Sequence, residues 1–283
     1  MKQSLILILS AFTAILCSCS DKMHIYVPNA VNAPVLQEKN ELKANLTFTN
    51  YQLAYAVTDH IGIMANGQYV FRFDNGNNPD DDPTYPYDND VRGGLFEVGA
   101  GYFNRFGRSR TKAKVFEVYG GYGRGNFRTV AANYYDTEDP VRSTKRDYKI
   151  TAGFDKFFIQ PGFGIAHKVV DFSIASRFSV LHFNKASIGP LAFQDDDYYQ
   201  QNFLEFRDKW MVNWEPAATI KVGFKYVRFM GQIGFVLPFD RAPNVTGSNN
   251  AEYDDWDHGE YFQPINFHLG VSFHFAKWLN EIK

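Results

Sequence analysis

Cysteine is nearly absent from this chain, with Cys17 and Cys19 the two among 283 residues. Both adjoin an N-terminal apolar run, so no disulfide framework is available to the remainder. Beyond that run, no apolar stretch approaches the roughly 20 residues that a membrane-spanning helix needs. An excess of either charge is also lacking. Twenty-nine basic residues face 31 acidic ones, and loss of Lys2 with a signal segment leaves 28 against 31, a difference of −3. Without a clustered basic face, nucleic acid is excluded as a partner. The chain has no Gly-x-Ser-x-Gly elbow, no His-Glu-x-x-His helix and no phosphate loop, so no motif calls for a cofactor or for hydrolytic chemistry.

The N-terminus carries what the rest lacks. Lys2, the apolar run from Leu5 to Leu16 and the small residues before a cysteine form the anatomy of a secretory signal. Leu16-Cys17-Ser18-Cys19 resembles the bacterial lipobox, which makes Cys19 the acylated residue and residues 1–18 the discarded signal. The alternative is an ordinary signal cut after Ser18 or Ser20. Ser20 is not the aspartate that retains lipoproteins in the inner membrane. Residues 19–40 hold two prolines, Pro28 and Pro34, and no clean period, and read as an extended periplasmic tether between lipid and body.

Aromatic residues make up 17% of the chain, with 27 Phe and 17 Tyr, yet the mean hydropathy is −0.33. The two are reconciled by an alternation of period two from residue 41 onward. ELKANLTF (41–48) sets Leu42, Ala44, Leu46 and Phe48 against Glu41, Lys43, Asn45 and Thr47. IGIMANGQYVFRF (61–73) sets Ile61, Ile63, Tyr69 and Phe71 against Met64, Asn66, Gln68 and Arg72. QPINFHLGVSFHF (263–275) sets Ile265, Phe267, Leu269, Val271 and Phe273 against Asn266, His268, Ser272 and His274. Strands are likewise expected over 51–57, 94–103, 113–127, 147–165, 171–183, 209–222 and 226–239, ten in all. Within 147–165 the apolar residues occupy one phase through Tyr148, Ile150, Ala152 and Phe154 and the other through Phe157, Ile159, Phe163 and Ile165. That phase switch predicts a β-bulge near Asp155 and Lys156.

The connections supply a second argument. Short turns at 58–60, 107–112, 167–170 and 223–225 alternate with long polar stretches at 74–92, 128–146, 184–208 and 240–261, as outer-membrane barrels alternate periplasmic turns and outer loops. The expected fold is therefore an all-β, closed, antiparallel, up-and-down transmembrane β-barrel over 41–276, with a periplasmic C-terminal tail at 277–283. It sits in the bacterial outer membrane with its long loops extracellular, its lipid and C-terminus both on the periplasmic side, and membrane lipid and lipopolysaccharide around it. Alternation does not reveal which face is out, so a soluble lipocalin-like barrel is the alternative. Against it, the less apolar face carries Lys43, Arg72, Glu97, Glu117, Lys149, Arg177, Glu215, Lys221 and Arg228.

The stretch EKNELKANLTFTNYQLAYAVTDHIGIMANGQY (38–69), preceded by the lipobox and a proline-bearing segment, resembles outer-membrane β-barrel lipoproteins common in Bacteroidota. GYFNRF (101–106), FEVYGGYGRG (116–125), FIQPGFG (158–164) and the closing FHF (273–275) extend the resemblance over most of the chain. It implies a location and an architecture, and no activity.

Candidate site residues follow from the faces. Arg72, Glu97, Glu117, Arg177, Glu215 and Arg228 point inward and form a lumen charge network, each charge buried only because it is paired, or else line a narrow porin-like conduit for ions or small solutes. The acidic stretches Asp80 to Asp82, Asp195 to Asp197 and 252–261 gather Ca²⁺-type oxygen ligands without the spaced loop pattern. Their tyrosines and Trp256 suit stacking on an extracellular glycan or docking a protein. A rim-sited hydrolase would draw on His182, His258, Asp254, Asp255 and Asp257. His268 and His274 share a face, but two ligands do not make a metal site. The leading expectation is a structural or interaction role through the extracellular loops, with no catalysis.

Overall fold

β-Branched and aromatic residues alternating with polar ones suit a sheet whose two faces meet different surroundings. The computed structural model, which describes residues 23–71, 90–107, 112–134, 145–194, 196–224, 226–239 and 261–275, has strands wherever that pattern occurs. These are β1 (Leu42–Thr47), β2 (Asn50–Ala56), β3 (Ile61–Val70), β4 (Arg92–Phe106), β5 (Lys112–Val130), β6 (Lys149–His167), β7 (Val170–Ile188), β8 (Trp210–Gly223), β9 (Val227–Phe235), β10 (Leu237–Pro238) and β11 (Ile265–His274). Each of β1 to β8 pairs antiparallel with the next, and β11 pairs with both β9 and β1. Two-residue β10 continues the pairing of β9 along β8. The result is a closed up-and-down barrel of ten staves. The one described α-helix, α1 (Asp197–Leu204), lies between β7 and β8, and Asp196 caps it by accepting from the Tyr199 amide at 3.1 Å. No described helix is long and apolar enough to cross a membrane, which says nothing about strands.

The outer face is apolar. Leu46, Leu53, Ile63, Val98, Ile159, Ile174, Ile220 and Leu269 are all exposed on it. Phe48, Tyr69, Phe96, Trp210 and Phe267 lie toward the long connections, and Tyr102, Phe106, Phe224 and Phe229 toward the short turns. The inner face carries Lys43, Asn66, Glu97, Glu117, Lys156, Arg177, Glu215 and Lys221, all buried.

Two expectations are corrected here. β6 does not switch phase: Ile150, Ala152, Phe154, Lys156, Phe158 and Gln160 are buried along one face. The bulge is on β7, where Asn184 is the extra residue between the pairs Gly153↔Lys185 and Phe154↔Phe183. What changes along β6 is the chemistry of the interior. Near the long-connection mouth the barrel is filled by an apolar core that includes Leu95, Phe127, Phe154, Phe183, Phe203 and Phe206, so apolar residues face inward there. Lys149, expected inside, takes the outer face.

The second correction concerns residues 19–40. Of the expected free periplasmic tether, residues 23–36 run through the barrel interior and are buried along their whole length. A ring of ten strands is wider than side chains fill by themselves, and several inward positions are small, among them Ala54, Ala56, Gly62, Gly164 and Ala217. The space that remains takes one extended chain. Pro28 and Pro34 suit that chain, since a proline has no N–H to satisfy in a lumen.

Candidate functional site

The threaded segment enters at the long-connection mouth. The amides of Ile25 and Tyr26 both donate to the Tyr261 carbonyl, at 2.9 and 3.1 Å, and the Gln263 amide donates to the Tyr26 carbonyl at 3.0 Å. The Tyr26 ring packs on Phe154 and Phe262, with centroids 5.3 and 5.1 Å away. At the opposite end, Val35 and Leu36 join Ala56, Phe103, Ala113, Val115 and Ala166 in a small apolar cluster beside the short turns. Nine residue steps separate Tyr26 from Val35, about 30 Å of extended chain, which matches a bilayer's hydrocarbon core.

An extended chain with no strand beside it leaves its backbone groups to be satisfied by side chains. Wall amides do this. Gln68 donates to the Pro28 carbonyl, Gln52 to that of Ala30, Gln232 to that of Val31 and Gln160 to that of Asn32, at 2.6 to 3.1 Å. In return, the amide of Ala30 donates to Asn50 and that of Val31 to Gln232. The Val35 amide donates to Glu117 at 3.0 Å, and the Lys43 ammonium donates to the carbonyls of Pro34 and Val35.

At mid-barrel the segment meets four buried charges. Lys156 lies 3.1 Å from Glu97 and 2.9 Å from Glu215, and Arg177 lies 3.2 Å from Glu97 and 3.8 Å from Glu215. Signs alternate around the ring and the charges sum to zero. Strand register builds it. Arg177 and Glu215 are direct partners across β7 and β8. Glu97 and Lys156 both stand opposite Gly123 of β5, one from each side. A Cβ on Gly123 would come 2.7 Å from the Glu97 Cγ, so the missing side chain lets Glu97 reach across β5 to Lys156. Two segment residues complete the ring. Tyr26 accepts from Lys156 at 2.7 Å and donates to Glu215 at 2.6 Å. Asn29 donates to Glu97 at 2.7 Å and accepts from Arg177 at 3.1 Å.

Of the six residues expected to form one lumen network, the structure unites Glu97, Arg177 and Glu215. Glu117 binds the segment nearer the short turns, and Arg228 pairs with Asp171 while donating to the His167 carbonyl at that rim. Arg72 lies outside the described residues, as does Cys19. Sequence reasoning missed Lys156 because it was assigned to a bulge; a single phase along β6 places it beside Gln160 on the inner face. Nothing in the alternation could flag Tyr26 or Asn29, which belong to no strand.

The remaining candidates separate. His268 and His274 are both buried inside, but six residues along one strand puts them about 20 Å apart. His182 lies outside, stacked on Trp210 with centroids 4.3 Å apart. His258, Asp254, Asp255, Asp257, Asp80 to Asp82 and Asp195 are outside the described residues, and no metal-like group of three His, Cys, Asp or Glu occurs among the described ones.

No protein-family model and no curated protein matches the chain. The crystal structure of CarO from Acinetobacter baumannii aligns over 83% of this chain and 97% of its own, at 13% identity and a TM-score of 0.17. At that score the likeness supports neither a common fold nor a common role.

Proposed function

We propose that the chain is an outer-membrane β-barrel lipoprotein acting as a closed, interaction-bearing body rather than a conduit. The observation that carries this reading is the lumen: residues 23–36, the four-charge ring and the aromatic core occupy it from one mouth to the other. What supports the membrane location is the inversion of a soluble protein's pattern, with aliphatic and aromatic side chains outside and paired charges inside. Interaction then falls to the mouth that carries the long connections, whose tyrosines and acids suit a glycan or a protein partner.

The test is purified protein in detergent, run unboiled and boiled on a gel, then reconstituted in a planar bilayer. This reading expects a compact band that shifts only on boiling and a bilayer that stays silent. A heat-insensitive, water-soluble protein contradicts the membrane assignment; stable unitary conductance contradicts the closed lumen.

A further inference from the structure

The direction in which the N-terminal segment runs bears on where its lipid is carried. Met23 and Ile25 belong to the apolar core at the long-connection mouth, together with Phe193, Phe203 and Phe206. From there the chain descends through the lumen, leaves at the short-turn end, where the Lys39 amide donates to Asp59 at 3.0 Å and the Asn40 amide to the Ala56 carbonyl at 2.9 Å, and only then enters β1. Cys19 precedes Met23 by four residues, which reach at most about 14 Å even when fully extended. That is less than half of the roughly 30 Å hydrocarbon core of a bilayer. A lipid on Cys19 therefore cannot return to the short-turn side by any path the covalent chain permits.

On the reading above, in which the long connections are extracellular, we infer that Cys19 carries its acyl group on the cell-surface side of the outer membrane, with the barrel closed around the segment that leads to it. This reverses the inner-leaflet anchor expected from the sequence. It also gives the buried ring a second role. Tyr26 and Asn29 fix the segment's height in the lumen by contacts to Glu97, Lys156, Arg177 and Glu215, so the anchor emerges at a set distance from the mouth. A diacylated end is too bulky to pass a filled lumen, so threading has to precede closure of the barrel.

The test compares single cysteines in the full-length protein in living cells, labelled with a membrane-impermeant maleimide before and after permeabilisation of the outer membrane. Lys22→Cys reports the end next to the lipid, Gln194→Cys the long-connection mouth, and Lys168→Cys a short turn. The expected result is that Lys22→Cys and Gln194→Cys label in intact cells, while Lys168→Cys labels at least tenfold more after permeabilisation. If Lys22→Cys instead follows Lys168→Cys, with Gln194→Cys still labelled in intact cells, the surface anchor is overturned and the barrel reading survives. If Gln194→Cys and Lys168→Cys label alike, the membrane-spanning reading falls and the anchor proposal falls with it.

Discussion

Gln232 of β9 and Val31 of the threaded segment hold each other by two hydrogen bonds. The Val31 amide donates to the Gln232 Oε1 at 2.7 Å, and the Gln232 Nε2 donates to the Val31 carbonyl at 2.8 Å. A single side-chain amide thereby does what a residue of a neighbouring strand would do, and Thr219 accepts from the same Nε2 at 2.7 Å. The segment is bound as a strand is bound, by side chains instead of a ladder.

Gln232→Leu is expected to leave both Val31 backbone groups unpaired in the lumen. An unsatisfied buried polar group costs about 1–3 kcal/mol, so the temperature at which the compact gel band converts on heating drops clearly. Ile233→Ala, one residue along on the outer face, serves as the control and shifts it far less.

The ring of Glu97, Lys156, Glu215 and Arg177 predicts strong coupling between substitutions. Removing one partner from a buried ion pair costs about 3–5 kcal/mol because the other charge stays behind. Glu97→Gln and Lys156→Met each destabilise by that order in urea titrations in detergent. The double variant, which restores neutrality, is less destabilised than the sum of the two.

Gly164 sits where the segment presses on β6. A Cβ there would come 2.5 Å from a Val35 methyl, so Gly164→Ala is expected to destabilise by about 1–3 kcal/mol, the usual range for overpacking. Val35→Ala removes the opposing methyls and recovers most of that loss in the double variant, as read from the same unfolding curves. Independent costs that simply add would contradict the contact.

Replacing residues 24–36 with a Gly/Ser run of equal length removes the Tyr26 and Asn29 contacts and the apolar packing of Val35 and Leu36. The expected outcome is a barrel that still migrates compactly but admits small ions in planar bilayers where the parent is silent.

The barrel itself was legible from alternation, because each strand has one lipid-type face and one polar face, and strand ends coincide with short polar or glycine-bearing turns such as Thr58-Asp59-His60 and Gly223. The reading failed where the two faces stop differing. Around Phe154 the interior is as apolar as the exterior, so the pattern at Ile150 and Ala152 pointed the wrong way and displaced Lys156 from the inner face. The threaded segment left no period to find: its fit depends on Gln52, Gln68, Gln160 and Gln232, which lie on four different strands and converge only after the ring closes. Glu97, Arg177 and Glu215 were foreseen as partners because inward charge in a narrow barrel has to be paired; that Tyr26 and Asn29 bind the same ring depends on where the segment runs.

The most direct test of the threaded lumen is a paired-cysteine variant, Val35→Cys with Gly164→Cys. A Cβ on Gly164 would lie 3.2 Å from the Val35 Cβ, close to the spacing of about 3.5–4.5 Å that a disulfide uses. The account predicts that oxidation of outer membranes yields an intramolecular disulfide in most of the protein, seen as a mobility shift after boiling without reductant and absent from either single variant. Two cysteines that remain unlinked and both react freely with maleimide would contradict it, and would return residues 23–36 to the outside of the barrel.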